Sequence, residues 1–144
     1  MSRRILVVED EEKLRRVIEL QLRAEGFEGL QAATAEDGLK LAPDAEVILT
    51  ERRRPGMDGL QLLAAVKEQH LPAPVVVMTA FGTIEKAVEA MKTGAQDFLP
   101  KPFSLDHLMA VVDKAFANHA LREENRQLKA ELSLRYQFDN LIGH

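Results

Sequence analysis

Residues 5–12 read ILVVEDEE, four apolar residues followed by four acids. A short run rich in Val and Ile, with no polar alternation, is the pattern of a strand covered on both faces, since neither face is left to water. The run recurs at Val47 to Leu49, at Val75 to Met78 and, more weakly, at Phe98 to Leu99; a further strand is expected near Glu28 to Gln31. Between these runs the apolar spacing becomes helical. Leu14, Val17, Ile18 and Leu22 form one stripe, closed by Gly26. Thr34 with Asp37 makes a capping-box-like start to a short helix through Leu41. Leu60, Leu63 and Ala64 mark a third helix from Gly59; Ile84, Ala87, Val88 and Met91 mark a fourth that stops at Gly94. A fifth starts at Ser104 and carries Leu105, Leu108, Val111, Val112, Ala115 and Phe116. Strand followed by helix, five times over, predicts an α/β fold with a five-stranded, doubly wound parallel sheet. Ligands of such sheets sit outside the carboxyl ends of the strands.

The composition narrows the function. At 144 residues and 46% hydrophobic, the chain is expected to form one domain with a sizeable core. A net charge of -4 argues against a surface that coats nucleic acid, so direct DNA binding is not expected. With no cysteine there is neither a disulfide nor a thiolate metal site. The apolar run Ile5 to Val8 is too short for the core of a signal peptide, and no segment reaches the length of a membrane span. A soluble cytoplasmic protein is the expectation.

The strand ends bring chemistry to the predicted rim. The first strand runs out into Glu9 and Asp10, the third into Glu51, the fourth into Thr79 and Ala80, and the fifth into Pro100, Lys101 and Pro102. Carboxylates gathered this densely repel one another unless a cation intervenes, and hard oxygen donors suit Mg2+. Such a pocket could hold a phosphoryl group through the metal, Lys101, the Thr79 hydroxyl and a backbone N–H. Singly, each residue has a plainer role. Glu9 and Asp10 suit the start of a helix, Thr79 a helix-start hydroxyl, and Lys101 a solvated loop. Their coincidence at one edge favours a site.

The segments ILVVEDEE, VILT followed by an acid, RPGMDGL, VVVMTAFG and GAQDFLPKPF resemble, in order and spacing, the receiver domains of two-component response regulators, over residues 4 to 118. The resemblance implies a CheY-like fold. It also implies that Glu9, Asp10, Glu51 and the carbonyl of Arg53 hold Mg2+, that Thr79 and Ala80 contact a phosphoryl group with Lys101, and that Phe98 is the switch aromatic. The Lys101-Pro102 bond is one that such domains often hold in cis. Where receivers carry the phosphate-accepting aspartate, this chain has Glu51, which moves the carboxylate outward by about one C–C bond; a displacement of about 1 Å can cost in-line attack a hundredfold. Ordinary aspartyl phosphorylation is thereby excluded at position 51. The longer acid carries one negative charge and can mimic a phosphorylated aspartate only in part. Arg52 and Arg54 occupy positions that are usually apolar in the family, and either could supply the positive charge in place of the metal.

Beyond Phe116 the sequence continues ANHALREENRQLKAELSLRYQFDNLIGH. With Asn118, Asn125 and Leu132 at a positions, Leu121 and Leu128 fall at d, and Glu124 and Lys129 at g and e, a seam that suits a parallel homodimer. The expected organisation is a receiver over 1–118, a linker helix over 119–138 and the start of a junction over 139–144. The ending FDNLIGH and the segment MTAFGTIEKAVEAMKTGAQDFLPKPF resemble NtrC-class activators, in which a linker leads into an ATPase domain that works with sigma-54 polymerase. No phosphate-binding G-x-x-x-x-G-K-[ST] loop is present. The resemblance implies a regulatory, non-enzymatic module, with a sensor histidine kinase as partner unless the altered acceptor has ended that exchange, and an attached output domain. Two other classes fit the same residues: a Mg2+-dependent phosphohydrolase, and a structural dimerisation module with a degenerate site.

Overall fold

Alternate residues of each apolar run belong to opposite layers. In one layer Ile5, Val7, Val47, Leu49, Val76, Met78 and Leu99 pack with Ile18 and Leu22 and with Leu108, Val111, Val112 and Phe116. In the other, Leu6, Val8, Ile48, Val75 and Val77 pack with Leu62, Leu63, Val66 and Ala90. A sheet buried on both sides needs apolar residues at consecutive positions, which is why these strands show no alternation. The computed structural model describes residues 3–51, 58–80 and 84–121, without the side chains of residues 80, 84 and 86.

The strands are β1 (Arg3–Val8), β2 (Phe27–Ala32), β3 (Val47–Glu51), β4 (Val75–Ala80) and β5 (Asp97–Lys101). All pairings are parallel, in the order β2-β1-β3-β4-β5. Helices α1 (Glu12–Ala24), α2 (Ala35–Leu41), α3 (Gly59–Glu68) and α4 (Ile84–Thr93) link them. A fifth helix, α5, begins at 105 and is helical to 121, the last described residue. The core grouping puts α1 and α5 on one face and α2, α3 and α4 on the other.

Local chemistry sets the helix ends. Thr34 Oγ1 accepts from the Asp37 amide at 3.1 Å at the start of α2. Asp58 and Gln61 form a reciprocal box at the start of α3, each side chain accepting from the other's backbone N–H at 2.9 Å. Ser104 Oγ accepts from the His107 amide at 3.0 Å and starts α5. Gly26 and Gly94, just after α1 and α4, have φ of 89° and 111°, a region that disfavours other residues.

Several apolar positions face outward where the spacing suggested core. Val17 on α1 is 48% exposed, because Leu14, Ile18 and Leu22, each one turn apart, already form the stripe on the sheet and Val17 lies off their line. On α4 the small residues Ala87 and Ala90 are buried, while Val88 and Met91 are exposed. Ala64 on α3 is exposed as Leu62 and Val66 join Leu63 inside, and Leu105 at the start of α5 is exposed too. Among the described residues, no helix is long and apolar enough to cross a membrane.

Candidate functional site

Parallel pairing brings the carboxyl ends of the strands to one edge, and the register decides which side chains meet there. Val8 is paired with Thr50, Glu51 with Met78, and Ala80 with Lys101. Glu9 extends β1, its amide donating to the Ala32 carbonyl at 3.1 Å. Glu9, Glu51 and Lys101 each lie two positions beyond a residue of the same core layer, namely Val7, Leu49 and Leu99. A strand returns to the same face every second residue, so these three side chains leave the sheet on one side. Thr79 lies two positions beyond Val77, in the opposite layer.

The three do meet. The Lys101 ammonium donates to Glu9 Oε1 at 2.6 Å and forms an ion pair with Oε2 of Glu51. Glu9 and Glu51 are only 1% and 4% exposed. The second oxygen of Glu9, Oε2, accepts from the Glu11 amide at 3.1 Å, and its carbonyl accepts from Arg15 Nη1 at 2.8 Å. Glu9 thus also serves the first turn ahead of α1, the plainer role its position suggested, while reaching across the sheet to Lys101. Asp10 is exposed and hydrogen-bonds the Glu9 carboxyl.

Burial pushes the Glu9 carboxyl above the ordinary glutamate value; the hydrogen bond from Lys101 opposes this and the one with Asp10 reinforces it. Burial pulls Lys101 the other way, towards the neutral amine, but hydrogen bonds and charge from Glu51 and Glu9 more than reverse it, and its pKa is raised. The pairing is therefore unequal. Two carboxylates hold one ammonium firmly charged, while Glu9 bears a desolvation cost that half a share of that ammonium does not cancel.

Thr79 is 1% exposed, and its Oγ1 has no hydrogen-bond partner among the described residues. Phe98, half-buried, lies opposite Val77 and three residues before Lys101 on β5. The Lys101-Pro102 bond is cis. Arg52, Arg53 and Arg54 lie outside the described residues, as do Asn125, Leu128 and Leu132 of the helical seam; Leu121 is exposed at the described end of α5.

The donor set is of the right chemistry for Mg2+. Among the described residues no three His, Cys, Asp or Glu side chains group closely enough to hold a metal, and the Lys101 ammonium pairs with Oε1 of Glu9 and Oε2 of Glu51. Sequence reading did not foresee Arg15, whose guanidinium fixes the Glu9 carbonyl. Its only signal is a basic residue six positions after Glu9, on the first turn of α1.

The profile of the response regulator receiver domain matches residues 5–113. The chain is 36% identical over 141 residues to the regulatory protein AtoC of Escherichia coli (strain K12), covering 96% of this chain and 31% of that protein. It is 37% identical over 130 residues to the DNA-binding transcriptional regulator NtrC of the same strain, covering 87% of this chain and 27% of that one. NtrX from Brucella abortus, in complex with ATP, superposes with a TM-score of 0.82 at 36% identity, over 89% of this chain and 30% of that chain. The signal receiver domain of a LuxO repressor protein from Vibrio parahaemolyticus superposes with a TM-score of 0.81 at 26% identity, over 85% and 96% of the two chains. The chain therefore spans less than a third of the curated relatives it matches.

Proposed function

Because the chain belongs to the response regulator receiver domain family, we propose that it is the regulatory receiver of a two-component transcription regulator, and that it controls an attached sigma-54-type ATPase and DNA-binding output without a normal cycle of aspartyl phosphorylation. Receiver domains are in general signalling modules that interact with histidine kinases, dimerise, and bind Mg2+ at the acceptor site. The relatives' names supply the output class: a regulatory protein and a DNA-binding transcriptional regulator. The parallel linker seam through Leu121, Asn125, Leu128 and Leu132 would carry the state of the receiver to that output as a homodimer.

One observation carries the altered-acceptor reading: the acid at the end of β3 is Glu51, buried and ion-paired to Lys101. A carboxylate held by an ammonium is a poor in-line nucleophile, and its extra methylene displaces it from where an aspartate would attack. Lys101 and the buried Thr79 hydroxyl would flank the phosphoryl position from opposite sheet faces; the negative charge of Glu51 engages the lysine. Incubation with acetyl phosphate and Mg2+, followed by intact mass measurement, tests this. No phosphoryl adduct is expected on the native chain, and an adduct is expected on Glu51→Asp. A stoichiometric adduct on the native chain, mapped to Glu51, would sink the reading.

A further inference from the structure

We propose that the cavity between the starts of β1 and β3 and the last described turns of α5 is a binding site for a small zwitterion with an apolar body, of the α-amino-acid class.

The cavity lies at the amino edge of the sheet, at the opposite end of the strands from Lys101 and its two acids. Its volume is about 400 Å3, a size that suits a small molecule. Arg3 opens β1, and Glu46, whose amide donates to the Arg4 carbonyl at 2.9 Å, precedes β3. The other wall is α5, where Asp113, Phe116, Ala117 and Ala120 share one helical stripe. Two of the four are alanines, which leave the space that larger side chains would fill.

Charges of both signs line this cavity without pairing. Arg3 and Phe27 are register partners on β1 and β2, so their side chains leave the sheet on the same face. The Arg3 guanidinium lies over the rings of Phe27 and Phe116, 5.5 and 5.9 Å from their centroids. Stacking of this kind holds the guanidinium plane and leaves its edge donors for a carboxylate. Among the described residues, neither Arg3 nor Glu46 nor Asp113 forms an ion pair. His119 lines the same cavity, and its Nδ1, shielded from solvent, has no hydrogen-bond partner among the described residues. Two carboxylates beside one guanidinium suit a ligand that brings an ammonium together with a carboxylate. An anion alone would meet the repulsion of Glu46 and Asp113, and a cation alone would meet that of Arg3. Phe116 and the two alanines would take the apolar body, and the bound ligand would tie the sheet edge to α5. Neither the acidic rim nor phosphorylation enters this site.

Amide NMR spectra of the whole chain, titrated with L-leucine and with L-phenylalanine, test it. The N-acetyl and amide derivatives of the same amino acids lack the ammonium and the carboxylate in turn. At least one amino acid should shift the amides of Arg3, Glu46 and residues 113–120 saturably, and both of its derivatives should bind about tenfold more weakly or worse. Arg3→Met should weaken the amino acid to the same degree. Ala120→Leu, which fills the cavity from an exposed position with another good helix former, should abolish binding. Far-UV circular dichroism reports whether each variant folds; should Arg3→Met fail to fold, Ala120→Leu decides alone. The absence of a saturable shift with either amino acid overturns the proposal, as does unchanged affinity in a folded variant or a derivative that binds as tightly as its parent.

Discussion

The ammonium of Lys101 lies 2.6 Å from Oε1 of Glu9, ninety-two positions away along the chain. The contact crosses the sheet from β5 to the end of β1, and Glu51 shares it from β3. A three-membered charge cluster, dry at the carboxylates and open at the lysine, makes the domain's stability depend on pH in two opposite ranges.

In the acid range Glu9 dominates. Its folded pKa is raised above the ordinary value of 4.5, so folding takes up protons there; that contribution is present below 4.5 and is lost as pH rises through the raised value. Glu9→Gln keeps the acceptor for the Glu11 amide and leaves Lys101 paired with Glu51. The metal-free variant should be as stable as the native chain at neutral pH, or more stable by about 1 kcal/mol, and should lack this part of the acid dependence. Urea unfolding across the acid range measures both.

At alkaline pH the lysine is exposed as the weak point. Its raised pKa contributes stability that is full below 10.5 and is lost as pH climbs through the folded value. Lys101→Met should show no such alkaline loss. At neutral pH without metal it should cost about 3–5 kcal/mol, because two buried carboxylates lose their ammonium. Thermal unfolding at neutral and strongly alkaline pH separates the two effects.

Thr79→Val removes a buried hydroxyl that has no partner among the described residues and keeps the side-chain shape. Stability should be unchanged or rise by about 1 kcal/mol. A loss beyond about 2 kcal/mol in urea unfolding would reveal a hydrogen bond that this hydroxyl makes in solution.

Gly38 on α2 packs against the strand that leads into Glu9: a Cβ there would lie 2.7 Å from Cγ2 of Val8. Val8 is fully buried, so it cannot swing aside. Gly38→Ala is expected to destabilise the domain by about 1–3 kcal/mol through overpacking, although alanine is the better helix former. Calorimetric unfolding checks the sign.

Arg15→Ala withdraws the guanidinium from the Glu9 carbonyl. A loss of about 1–3 kcal/mol is expected, with faster amide exchange at Glu11 as the corner between β1 and α1 loosens. Arg15→Lys should recover part of the loss. Equal exchange rates in the native and Ala forms would mean that this contact does not hold the corner.

Much of this was legible in the chain before folding, and the reason is periodicity. Runs such as ILVV and VVVM declare strands buried on both faces, Gly26 and Gly94 mark helix ends, and Thr34 and Ser104 mark helix starts. The Asp58–Gln61 box is equally local, carried by the letters DGLQ. Parity along a strand is just as local. Val7 to Glu9, Leu49 to Glu51 and Leu99 to Lys101 are each a step of two, so the shared side of the sheet follows once the strands are known. Apolar spacing on helices was less reliable. Val17, Val88 and Met91 fit a helical stripe but face outward, because the width of the buried stripe depends on how closely the helix sits on the sheet.

The sequence by itself determined the order of elements, the two-sided sheet and the list of polar residues at its rim, since these depend on near neighbours and on period. Only the tertiary structure decided how those residues pair: that Lys101 takes both Glu9 and Glu51, that Thr79 is left on the other face without a partner among the described residues, and that Arg15 holds the Glu9 carbonyl. Ion pairs between strands depend on strand order, register and side-chain reach together. No local pattern encodes a distance across three strands.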